Sequence, residues 1–393
     1  IAAATGRGQK ALIAKRERLA RRARLRAWRP HTLFERKVKP RRALFRPITP
    51  CDDVRRSVRF SGLDSTTILT VDMSRGLPSV DADSVMSDAQ IVYASPGRLY
   101  VATQKWLSPD VMARETAPET RTEIHVFDTS DPNTTRYVTS GTVAGYLLNQ
   151  FALSEYSGVL RVASTESPQW WPRGTGDDPG SAVATFDAGS MAPLGRVGGL
   201  GKGERIYAVR FLGDRGYVVT FRQIDPLYVV DLSAPSEPRV TGELKIAGYS
   251  AYLHPIGEDL LLGVGQDATE QGMTTGTQLS LFDVSDPAKP TRLAQAALAG
   301  SSSSAEYDHK AFLYWPKTKL VVIPVAAYGE SEPFVGAIGF RVQRDGIEEV
   351  GRTQHPALDS SFWDVQRATV VRDRLFTLSY AGLMSSPLAT LGD

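Results

Sequence analysis

One cysteine, Cys51, is all that 393 residues contain. An intrachain disulfide framework, a Cys-rich zinc site and a Cys-x-x-Cys redox motif are therefore excluded. In an exported protein the disulfide partner of Cys51 would have to lie outside this chain. The five histidines, His31, His125, His254, His309 and His355, are scattered. They form neither His-x-His nor His-Glu-x-x-His, so no metal site is legible, and no cofactor is expected. No apolar run approaches the ~18 residues of a membrane-crossing helix. No signal peptide is visible, and the chain opens at Ile1 without an initiator methionine. If the true start is missing, a targeting segment could have been lost with it.

Charge of one sign is scarce at one end. From Ile1 to Pro47 there are 16 Lys/Arg against Glu17 and Glu35, a balance of +14 that leaves −11 for the rest of a chain whose net charge is +3. A basic arm on an acidic body either packs on that body or meets an anionic partner. Trp28, Leu33, Phe34, Leu44 and Phe45 punctuate the basic run like packing anchors, which favours the first. A nucleic-acid arm over residues 7–46 is the weakest reading, and no nucleic-acid partner is expected. Steep salt dependence of DNA binding would be its sign.

Residues 8–28, rich in Ala, Leu, Arg and Lys and free of Pro, predict a basic helix. Pro30, Pro40, Pro47 and Pro50 then predict an irregular connection, with one short strand near Val58–Phe60. This divides the chain into a basic helical arm and Pro-rich connection, 1–65, and an all-β body, 66–393.

The body is short runs of Val, Ile, Tyr, Phe and Thr between Gly, Pro, Asp and Ser clusters. The runs fall into a repeat of two strands around a tight turn, a third strand and an Asp-x-Ser-x-Pro corner. Third strands are expected at Thr67–Asp72, Ile124–Asp128, Val183–Asp187, Leu227–Asp231, Leu279–Asp283 and Ala337–Arg341, with last residues 56, 59, 44, 52 and 58 positions apart. A period near 50 with several strands per unit predicts a β-propeller of six to eight four-stranded blades, seven or eight in the complete protein. The inner pairs include Leu147–Leu153 with Val159–Ser164 and Ala311–Trp315 with Leu320–Val325. The strand at Thr67–Asp72 lacks an inner hairpin, and the last inner pair, Gln366–Ser379, is followed only by a short third strand near Leu383–Pro387. Either these partial units combine into one blade, giving six, or an absent N-terminal part completes both.

The corner Asp has a local task. In Phe282-Asp283-Val284-Ser285-Asp286-Pro287, and likewise after Asp128 and Asp231, the carboxylate can accept amide N–H bonds two or three residues on. These acids lack the oxygen spacing and terminal Glu of an EF-hand loop, so turn chemistry is expected and not calcium.

Several of these strings resemble a family of predicted secreted proteins of bacteria and archaea. That family carries a C-terminal β-propeller distantly related to WD40 repeats. The resemblance covers about residues 25–390 and rests on Cys51-Asp52-Asp53-Val54, Phe60-Ser61-Gly62-Leu63, Gly248-Tyr249-Ser250-Ala251-Tyr252-Leu253-His254-Pro255, Asp308-His309-Lys310-Ala311-Phe312-Leu313-Tyr314-Trp315-Pro316 and the Asp-x-Ser-Asp-Pro corners. It implies a secreted or cell-envelope location, often with membrane anchoring. It also implies a further N-terminal region with more propeller strands and another Cys that could bond Cys51. It implies no particular chemistry.

Candidate sites are few. Asp308-His309 opens an expected inner strand, where a carboxylate-oriented imidazole could face the central channel. The plainer reading is that His309 pins neighbouring strands, and no Ser, Cys or second His completes a triad. His254 is a second inner-strand imidazole. Gly195, Gly198, Gly199, Gly201 and Gly203 lack a Gly-Lys-Ser/Thr ending and a following helix, so a blade-to-blade connection is expected and not a phosphate loop. Trp170 and Trp171 sit in an insertion between second and third strands, either a recognition loop or a flap over a blade face. Met273–Thr275 and Tyr328–Ser331 fill the same interval in two other units, so these loops should share one rim.

The expected function is an exported, non-catalytic binding or scaffold module at the cell envelope that recognises protein or glycan through rim loops. The rival is a propeller hydrolase or lyase with its site in the channel near Asp308 and His309.

Overall fold

The computed structural model describes residues 31–35, 43–57, 64–75, 80–104, 120–166, 180–221, 225–269, 271–328, 333–356 and 364–391, with isolated positions between 11 and 22. The expected helix over 8–28 and the strand near Val58–Phe60 fall largely or wholly outside them. The stretch read as an irregular connection contains a hairpin, His31–Glu35 with Ala43–Pro47, and a strand, Val54–Arg56.

Seven further sheets follow one another along the chain. Sheet I pairs Val54–Arg56, in parallel, and Thr66–Val71, antiparallel, with a central Val80–Met86. Sheets II to V are four-stranded meanders: Ile91–Ala94 to Arg136–Ala144, Leu153–Tyr156 to Pro193–Leu200, Arg205–Leu212 to Arg239–Ile246, and Tyr249–Pro255 to Thr291–Ala299. In sheet VI the inner position is shared by Ser301–Ser302 and Leu313–Trp315, both paired with Leu320–Ala327; Phe334–Gln343 and Gly346–Thr353 complete it. Sheet VII has three strands, Arg367–Val371, Arg374–Ser379 and Gly382–Pro387. The two partial units at the ends of the body form separate sheets, each with its own third strand. The alternative in which they merge into one blade is corrected on that point.

The burial pattern explains why the strands read as they do. Second and third strands are covered on both faces by neighbouring sheets. They are therefore buried almost without interruption, as in Val159–Thr165, and can read as an apolar run, as in Leu320–Ala327. Outer strands such as Thr291–Ala299 alternate exposed and half-buried along their whole length. The core is a series of seams between consecutive sheets: Val85 with Val101 and Phe127, Leu160 with Val218, Val229 with Leu261, Leu281 with Val321, and Val322 with Leu375. Burying each such side chain contributes roughly 1.5–3 kcal/mol. No blade could bury both faces alone.

The corners form as expected. Asp72, Asp128, Asp187, Asp231 and Asp283 each accept the amide of Ser74, Ser130, Ser190, Ser233 or Ser285 at 2.8–3.0 Å. In sheets II to VI the ladder between third and fourth strands shifts register at one recurring place, just before this corner position. The bulge turns the outer strand and lets the next sheet's corner press on it. Small residues receive it. A Cβ on Gly195 would stand 2.5 Å from the Pro235 carbonyl, and one on Gly242 would collide with the carbonyl of Pro287. The glycine-rich stretch is thus corrected: Pro193–Leu200 is an outer strand whose Gly195 seats the neighbouring blade, and only 201–203 form the turn into the next one.

Candidate functional site

The inner strands of sheets III and VI are not continuous. Residues 147–153, expected as a strand, hold a one-turn 3-10 segment at Gln150–Ala152, capped by the Asn149 carboxamide accepting from the Phe151 amide at 2.9 Å. Sheet VI has two such turns, Ser304–Glu306 and His309–Ala311, capped by Ser303 and Asp308. Asp308-His309 therefore belongs to a turn ahead of the inner strand. Short polar residues that cap locally compete with strand pairing, which is why these stretches leave the ladder.

The turns reach across the centre. The Gln150 amide lies 3.2 Å from His309 Nε2, and the Phe151 ring meets the His309 ring edge-on at 5.0 Å. Sheets IV and V fill the space around them. Arg210 places its guanidinium 4.0 Å above the Phe151 ring and 5.4 Å from that of Tyr252. It donates through Nε and Nη2 to the Leu253 carbonyl at 2.9 and 2.7 Å. Tyr252 bonds His254 Nδ1 at 3.2 Å, and Phe312 packs against both rings. Burial, then the Arg210 charge, pushes the His254 imidazole down to about 4. Burial also lowers His309, against the pull of Asp308. Both rings favour the neutral form.

The Asp308 carboxylate does not orient His309. It accepts from the Lys310 amide at 3.0 Å and pairs with Arg367 of sheet VII at 2.7 Å. Burial raises its proton affinity, but the Lys310 amide and Arg367 outweigh this and hold the carboxyl below the usual range. The centre is a packed aromatic and imidazole cluster that joins sheets III to VI. His254 and His309 belong to it together, and Gln150, Phe151, Arg210, Tyr252 and Phe312 were missed by the sequence reading. Among the described residues no group of three or more His, Cys, Asp or Glu could hold a metal.

An antiparallel meander places the second-to-third connections and the sheet-to-sheet connections at the same end. At that end a cleft of about 530 Å³ opens between sheets VI and VII, lined by Ser304, Tyr307, Asp308, Asp364, Gln366, Arg367 and Tyr380. Tyr307 is 83% exposed, Tyr380 75% and Tyr328 68%. Trp170 and Trp171 lie outside the described residues. The strands that flank their loop, Val159–Thr165 and Ser181–Asp187, end and begin at this same face. Cys51 is exposed at the start of a 3-10 turn.

A succession of small antiparallel sheets, seamed face to face and capped by one recurring corner, defines a β-propeller. A model of the beta propeller domain family matches residues 7–391, and the chain belongs to that family. It is 41% identical over 242 residues to an uncharacterised protein of Methanocaldococcus jannaschii, covering 62% of this chain and 35% of that protein. It is 42% identical over 187 residues to one of Archaeoglobus fulgidus, covering 48% and 28%. The matched region is thus about a third of the length of these relatives. Among solved structures, a computationally designed protein, Ika8, aligns at 9% identity and TM-score 0.46, over 79% of this chain and 77% of that one. The periplasmic gluconolactonase PpgL of Pseudomonas aeruginosa aligns at 12% and 0.45, over 78% and 87%. Likenesses this loose carry no activity across. No helix among the described residues is long and apolar enough to cross a membrane.

Proposed function

We propose that this propeller is a non-catalytic binding or scaffold module at the cell envelope, recognising protein or glycan through one end face. The observation that carries the reading is the gathering of exposed aromatics there. Of the four tyrosines that stand strongly exposed among the described residues, Tyr307, Tyr328 and Tyr380 share that end, and only Tyr156 lies at the other. Exposed aromatic side chains gathered on one face mark recognition surfaces. The central cluster supports the same reading, because the Asp308 carboxylate and the His309 ring are turned to different partners and form no acid–base dyad. The envelope location, the extracytoplasmic compartment and the distant kinship to WD40 repeats rest on the family resemblance. The test is capture of envelope material by the purified chain, with Tyr307→Ala/Tyr328→Ala/Tyr380→Ala and Trp170→Ala/Trp171→Ala as separate variants. Loss of capture in either set is the expected result. Full capture by both sets would move recognition away from this face.

A further inference from the structure

We infer that the cleft between sheets VI and VII is a saccharide subsite that takes a neutral pyranose unit of an oligosaccharide. This rests on the reading above and names the ligand class. Four features converge. First, the cleft is about 530 Å³, within the range of small-ligand sites and large enough for one or two sugar rings. Second, it carries two aromatic faces on separate sheets. Tyr307 lies between the two 3-10 turns of sheet VI, and Tyr380 tips the hairpin that joins Arg374–Ser379 to Gly382–Pro387. Both are held out in solvent, although each ring could bury over 150 Å² if covered. A pyranose presents one flat face of C–H groups that stacks on such a ring and an edge of hydroxyls that must be hydrogen-bonded.

Third, the polar lining matches that edge. The Asp308 carboxylate is pinned from behind by the Lys310 amide and from the side by Arg367, so its orientation is set before any ligand arrives. Arg367 Nη1 is spent on Asp308 and on the Gln366 carbonyl, which leaves its other nitrogens to donate. A carboxylate beside a guanidinium offers acceptor and donor side by side, a pattern that two vicinal hydroxyls can satisfy. Gln366 and Asp364 extend it. Fourth, the Ser304 hydroxyl is buried in this wall with no partner among the described residues. A buried hydroxyl left unpaired is costly, and a turn of the Ser304 side chain into the cleft would let a ligand hydroxyl relieve it. The charges argue against an acidic sugar: Asp308 and Asp364 outnumber Arg367, so a ligand carboxylate would meet net repulsion.

The experiment titrates the intact chain with cellotetraose, chitotetraose and mannotetraose, read by tyrosine fluorescence and calorimetry. The inference expects at least one to bind. It expects Tyr380→Ala and Arg367→Gln each to weaken that binding tenfold or more, and Tyr307→Phe to retain it where Tyr307→Ala does not. Tyr156→Ala, at the opposite end of the molecule, leaves the affinity unchanged. The tyrosines are exposed, so their variants fold as the parent does, and a thermal melt of Arg367→Gln checks that the lost ion pair has not loosened sheet VII. Absence of binding to all three sugars overturns the inference, as does binding that is indifferent to Tyr380 and Arg367, or binding of a basic peptide in the cleft instead. In those cases envelope capture that still depends on Tyr307, Tyr328 and Tyr380 together leaves the broader reading standing.

Discussion

His254 shows how one buried residue can shape part of the pH response of the molecule. Its ring is wrapped by Tyr252, Phe312 and Tyr314, and the facing charge is the Arg210 guanidinium. Its folded value of about 4 lies below the ordinary 6.5. Above pH 6.5 both folded and unfolded chains hold it neutral, and nothing is lost. As the pH falls from 6.5 towards 4 the unfolded chain takes a proton that the folded chain refuses, so stability drops, by up to about 3 kcal/mol, and then levels off. His254→Phe removes this component. Its urea midpoint should change less between pH 7 and pH 4.5 than that of the parent, although His309 and His355, also lowered by burial, still act in the same direction. Equal slopes in parent and variant would place the His254 charge in contact with water.

Asp283 acts in the same direction but in a more acid window. The Ser285 hydroxyl, then its amide, lowers the carboxyl, and Arg344 adds to this. Its contribution is present above the unfolded value near 4 and is lost as the pH falls below it. Asp283→Ala should cost about 1 kcal/mol in a thermal melt at pH 7, the usual loss for a capping bond. Asp283→Asn, which keeps the acceptor, should cost less and should flatten the acid limb.

At the scale of elements, the recurring joint between blades is the most exacting feature. The outer strand of sheet IV receives the corner of sheet V at Gly242, and the outer strand of sheet III receives the corner of sheet IV at Gly195. Gly242→Ala should destabilise by about 1–3 kcal/mol, because backbone and proline rings have nowhere to retreat. Gly346→Ala is the control. It too lies in an outer strand, but its added methyl meets nothing within 4 Å, so its midpoint should stay within about 0.5 kcal/mol of the parent. A similar cost at both positions would show that glycine matters there for the chain and not for the contact.

The same joint marks what the sequence could disclose. Third strands and corners were legible because both signals are local: a buried apolar run, then an Asp with a Ser two residues on. The joint was not, since a glycine in an outer strand owes its identity to a proline 40 residues away and reads, alone, as a turn. The central cluster was hidden for a related reason. His254 and His309 stood out as residue types, but Gln150 and Phe151 lay in what looked like strand, and their meeting with His309 spans 159 positions. The cleft combined both difficulties, as Tyr307 and Tyr380 come from separate sheets and only their exposure reveals them.

For the whole molecule the decisive fact is that seams run from sheet I to sheet VII in order, while those two sheets are both three-stranded and share no strand ladder among the described residues. A closed propeller leaves only short edges, at its outer strands. Here Thr66–Val71 and Gly382–Pro387 each pair on one side only among the described residues, and each presents an exposed leucine, Leu69 and Leu383. Half-paired strands with apolar side chains in solvent are templates for pairing with another strand. The isolated chain should therefore associate as its concentration rises, and sedimentation velocity should show a species larger than 42.8 kDa growing with loading. Leu383→Lys, which sets a charge on the edge without touching a seam, should return the chain to a single slow species, and Leu69→Lys should do so in part. If the parent sediments as one monomer at all concentrations, the two edges are already covered, and the ring closes by contacts other than a shared ladder.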